Sequence, residues 1–218
     1  MIVRPLVYPS CLLVGALLAV VAGVLHPDLA GDGAAQLTTI AQCGAWRAIH
    51  WTFLFSFPLA LTGLVGLARV HAGNPGESAV RAGLIVATFA YGAWTVTVAF
   101  MGAAGWPLAH SFTVADAGMT ATRAVFLFDM IHPFALATQR VGGFALGLST
   151  CLFGWGVSDG KVLPRWLGSS GVAAGAVAMA LALVFREDTK ADQAAFMLPV
   201  LWQVVTASVM LRPLGTRG

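Results

Sequence analysis

Asp129 and His132 stand three residues apart, a spacing that puts a carboxylate and an imidazole on one face of a helix. Gln139 lies seven residues beyond His132, and Arg140 lies eleven beyond Asp129. Each falls about 20° from its counterpart around an ideal helix, so the four would share a polar stripe. Ionisable groups at membrane depth usually face a bundle interior or a wet cavity and mark function. The histidines add a second pattern. His26 closes the first apolar run, His50 opens the second, His110 follows the third and His132 precedes the fourth, so four gather at one side of the chain's apolar runs. Only His71 falls at the other.

Helix ends converge at such a boundary, which makes His26, His50, Asp129 and His132 the candidate ligands of a transition metal. Two imidazoles drawn from His26, His50 and His132 would instead ligate a haem, although the CxxCH of covalent attachment is absent. In that setting Asp129 is a ligand or the acceptor that orients an imidazole, and Arg140 pairs with Asp129, a haem propionate or an anionic substrate. Without a metal, Asp129, His132 and Arg140 form a catalytic trio for acid–base chemistry on a lipid-soluble substrate. Two other classes use the same residues differently. A small transporter or channel would run protons or ions along the Asp129/His132/Arg140 face, with Pro58, Pro133 and Pro199 as bends. An accessory or structural subunit would need none of this chemistry.

The elements that must position these residues are set by composition. The 218 residues are 58% hydrophobic and 10% charged, against roughly 25% charged in soluble domains, with mean hydropathy +0.83. That excludes a disordered chain, a disulfide scaffold and a nucleic-acid module, the twelve basic residues being scattered. The expectation is an all-α, polytopic integral membrane bundle in a single domain spanning residues 1–218. Apolar runs place spans at about 6–25, 49–70, 82–104, 138–157, 166–185 and 194–211. Each should be helical, because lipid offers the backbone no partners. The first run exceeds a signal-peptide core of about 7–15 residues and is read as a retained span.

The stretch from Gly118 to Val157 is too long for one crossing, since about 40 helical residues rise about 60 Å. We therefore expect an extra helix on the outer face, over about Ala124–Ala137, kinked at Pro133 and leading into the fourth span. A seventh crossing is the alternative. Lys and Arg set orientation. Arg4, Arg69, Arg81, Lys161, Arg165, Arg212 and Arg217 fall on one side, and Arg47, Arg123, Arg186 and Lys190 on the other. The first side is taken as cytoplasmic, with both termini, in a cell membrane.

Little else in the chain is diagnostic. Cys11, Cys43 and Cys151 form no CxxC, and no P-loop, dinucleotide fingerprint, HExxH or GxSxG occurs. Gly171 and Gly175, continued by Ala178 and Ala182, make a close-packing face for a helix of this chain, a partner subunit or a second copy. Trp46, Trp51, Trp106, Trp155 and Trp166 read as aromatic belts beside the membrane lipid. Tyr91, Thr95, Thr97 and Gln203 bring polarity into the interior.

Overall fold

The computed structural model describes residues 6–114, 119–185 and 190–212. Among these the chain is all helical. The elements are α1 (Val7–Leu25), α2 (Gly33–Gln42), α3 (Trp46–Val70), α4 (Glu77–Phe100), a π-helical turn (Met101–Gly105), α5 (Trp106–Val114), α6 (Met119–Gly160), α7 (Arg165–Val184) and α8 (Lys190–Leu211). Six helical stretches are long and apolar enough to cross a membrane, with α4, the π turn and α5 counting as one. Of the residues that set the orientation, Arg4, Arg186 and Arg217 lie outside the described ones.

Packing follows the small residues. Helix α1 lies against α3 and α8, α6 against α4 and α7, and α7 against α8. Large apolar side chains such as Val24, Ile85, Phe89 and Val184 point outward, as lipid-facing positions do. Inside, hydroxyls satisfy themselves on carbonyls: Ser149 Oγ donates to Gly83 O at 2.8 Å and Thr206 Oγ1 to Trp202 O at 2.8 Å. Tyr91 Oη donates to Gln203 Oε1 at 2.9 Å, which ties α4 to α8 through the polarity anticipated there.

The Gly171/Gly175 face is used within the chain. A Cβ on Gly175 would meet Gly147 O at 2.4 Å and Cys151 N at 2.6 Å, and one on Gly171 would meet the Trp202 ring at 2.8 Å. The stripe is buried between α7 and its neighbours α6 and α8, so it offers no free face to a partner or a second copy.

Two features build the functional end of the molecule. The expected outer segment and the fourth span are one helix: α6 runs for 42 residues, about 63 Å along its axis, with Pro133 inside it. The combined α4–α5 rod is 38 residues long, and both rods exceed the roughly 30 Å of hydrocarbon. Their surplus turns pack against α2, which was not anticipated, and make a cap with its own apolar core. Leu37, Ile40, Trp46, Met101, Ala109, Ala124 and Phe128 form that core. Asp32 starts α2 by accepting from the Ala35 N–H at 2.9 Å, an N-cap that lets a ten-residue helix stand between α1 and α3.

Candidate functional site: a histidine-lined cavity beneath the cap

Local sequence sets each histidine in place. His26 precedes Pro27, which disfavours the helical conformation at the residue before it. Helix α1 stops there, and His26 is extended at φ −71°, ψ 123°. Its ring turns back onto the first turns of α3, lying 5.0 Å from the Trp46 ring and 5.2 Å, edge-on, from the His50 ring. His50 sits one turn after Trp46, and the two rings are 4.3 Å apart.

The His50 Nδ1 lies 2.8 Å from Trp46 O. A carbonyl only accepts, so Nδ1 carries the proton and the neutral ring keeps Nε2 as a bare acceptor. His132 comes from α6, buried and stacked 4.5 Å from Phe128 of the cap core. Trp46 anchors the arrangement: fully buried, it donates Nε1–H to Met101 O of the π turn at 2.8 Å. Burial pushes the His26 imidazole below its ordinary pKa, against the smaller opposing pull of the Pro27 backbone and Asp28.

A cavity of about 290 Å³ lies among these groups. His26, His50 and His132 all line it, with Phe53, Trp94 and Phe196 as aromatic walls and Gln139, Gln193, Gln36 and Asp28 as further polar groups. Among the described residues no Lys or Arg lines it. Two of its walls carry buried polar atoms that have no partner among the described residues, Gln36 Oε1 and Trp94 Nε1.

The other expected site residues go elsewhere. The Asp129 carboxylate lies over Gly33 at the start of α2, where a Cβ would come within 2.0 Å of its Oδ1. Negative charge is favoured at that helix N-terminus. Arg140 donates Nε to Ala182 O at 2.9 Å and an Nη to Phe185 O at 2.7 Å, capping the carbonyl end of α7. Among the described residues no ion pair joins Asp129 to Arg140, and no hydrogen bond joins Asp129 to His26, His50 or His132.

The expected metal set of His26, His50, Asp129 and His132 does not assemble. Among the described residues no three of the His, Cys, Asp and Glu side chains stand as a metal-holding group. The rings of His26 and His50 touch, leaving no room for a macrocycle between that pair. His110 lies on α5, stacked on Trp106 at 5.4 Å, and does not line the cavity.

Several residues of the site are not flagged by their spacing. Trp46, which holds the histidine rings without lining the cavity, is buried and not part of the aromatic belt expected of it, whereas Trp51, Trp155 and Trp166 are exposed as a belt requires. Asp28, Gln36 and Gln193 sit in or beside short connections, where no periodicity flags them. Compared with known proteins, the chain matches no family model, and no curated protein and no solved structure is significantly similar to it.

Proposed function

We propose that this multi-pass membrane protein binds a lipid-soluble molecule through a neutral, hydroxyl-bearing head group held among His26, His50 and His132, and acts on it by acid–base chemistry. The observation that carries this reading is the tautomer of His50. With Nδ1–H committed to Trp46 O, Nε2 accepts a hydroxyl proton and serves as the base. The described cavity lining argues against an anionic head, because among those residues it holds one carboxylate and no Lys or Arg. Its aromatic walls, with a few convergent polar groups, have the character of small-molecule sites.

The proton-path reading has weaker support, since of Asp129, His132 and Arg140 only His132 lines the cavity. The excess of Lys and Arg at the opposite end supports placing the termini in the cytoplasm and the cavity in the outer half of the membrane. Tyr8 and Met210 line one depression, so the start of α1 and the end of α8 lie at the same end of the bundle.

The test is organic extraction of protein purified in mild detergent, followed by mass spectrometry. A neutral hydroxylated lipid should co-purify near one per chain and be depleted in His50→Phe. Equal recovery from both proteins would overturn the reading.

A further inference from the structure

The cavity has a neighbour on the side of the bundle. A second, open groove of about 580 Å³ runs down the outside of the bundle between α1 and α8, bordered by Val20, Val24 and Leu201. It shares Gly23, His26, Asp28, Gln193 and Met197 with the cavity. Only small obstacles separate the two. At mid-height the methyl end of Met197 rests on Gly23, where a Cβ would lie 1.8 Å from Met197 Cε. At the rim Gln193 Nε2 donates to Asp28 Oδ1 at 3.3 Å, a long bond between exposed side chains. Methionine has three rotatable bonds and low rotamer barriers, and glycine opposes it with no side chain. A rotamer change at Met197 therefore joins cavity to groove without moving either helix. The groove's outer border is apolar and lipid-facing, with Val24 76% and Leu201 48% exposed.

We propose that the α1/α8 groove is a lateral portal for a single-tailed neutral lipid: the head passes between Gly23 and Met197 into the cavity, and the alkyl or isoprenoid tail stays in the groove. This rests on the cavity reading above and adds the substrate's shape and route. The cavity is too small for a long tail as well as a head, whereas the groove offers an apolar trough continuous with the membrane. The groove, bordered by Val20, Val24 and Leu201, has the form of a trough for one chain.

Two photoreactive alcohols test it: a long-chain primary alcohol with a diazirine near its tail end, and a short-chain diazirine alcohol with no tail. The long probe should label Val20, Val24 or Leu201, and the short one should label the cavity walls Phe53, Trp94 or Phe196. Gly23→Leu, which fills the gap on the groove side, should lower long-probe labelling of Val20, Val24 and Leu201 about tenfold, while the short probe, small enough to enter past the exposed Gln193–Asp28 rim, still labels the cavity walls. Met197→Trp closes the same gap from α8 and stands in if Gly23→Leu does not fold. Long-probe labelling confined to α4 or α6, or unchanged in both variants while the short probe still marks the cavity, overturns the portal and leaves the cavity reading standing. If the short probe misses the cavity walls, or marks them equally in wild type and His50→Phe, the cavity reading falls and the portal with it.

Discussion

Replacing Trp46 by Phe isolates the contact that joins cap to bundle. The indole is fully buried and its N–H bonds Met101 O at 2.8 Å, inside the cap core. Losing a buried neutral hydrogen bond costs about 0.5–1.5 kcal/mol. Removing two buried ring carbons costs about 1.6 kcal/mol at about 0.8 per carbon. The variant should thus destabilise the cap by about 2–3 kcal/mol, which raises its local opening constant about 30- to 150-fold. Cap and bundle have separate apolar cores, so the effect should stay local. Hydrogen exchange read by mass spectrometry should show faster exchange across Gly33–Gln42 and Trp106–Val114, with α7 unchanged. Exchange that is unaltered in α2 and α5, or raised equally in α7, would refute the claim that Trp46 holds a separate cap.

Three further outcomes follow from the packing and the buried imidazoles. Gly175→Ala forces a methyl against backbone atoms of Gly147 and Cys151, which cannot swing away, so it should cost about 1–3 kcal/mol in detergent thermal melts. A melting curve like the wild type's would show that α6 and α7 are not held at this distance. Arg140→Ala removes two charge-assisted bonds to the α7 carbonyl end and should cost about 2 kcal/mol, seen as faster exchange in the last turn of α7. His26 and His71 are both pushed below the ordinary histidine value of about 6.5, chiefly by burial, so the unfolded chain binds more protons than the folded one just below that pH. Their contribution is fully present above pH 6.5 and is lost as pH falls through the folded values. Thermal stability should decline below pH 6.5, and His71→Leu should flatten the decline; a variant with an unchanged slope would remove His71 from the account.

The spans were legible because lipid demands long apolar helices, and the one-sided histidines because span ends fix which side each residue meets. The Asp-x-x-His spacing places Asp129 and His132 within one turn of each other on α6. Spacing does not say what each side chain meets: α2 presents its N-terminus to Asp129, while Phe128 and the cavity take His132. For Arg140 the angle around the helix fits, but the distance along it does not. Eleven residues are about 16 Å along the axis, beyond any ion pair, and the carbonyl end of α7 lies within reach instead. The length of α6 implies turns beyond the membrane, but it does not say what those turns pack against. A ten-residue helix with two buried apolar positions, Leu37 and Ile40, carries too little periodic signal to announce the cap that receives those extra turns.

The π turn at Met101–Gly105 has a consequence for how this chain tolerates changes of length. A π turn holds one residue more than an α turn, so its flanking helices keep the orientation they would have if that residue were absent. Deleting a residue in α4, or in α5 ahead of Ala109, would rotate everything beyond it by about 100° and swing Ala109 out of the cap. A deletion within the turn would regularise the helix and leave Ala109 facing inward, while shifting the carbonyl that receives the Trp46 indole. The heading of the cap and the anchoring of the histidine rings are thus encoded separately: the first survives a one-residue edit at this point, and the second does not.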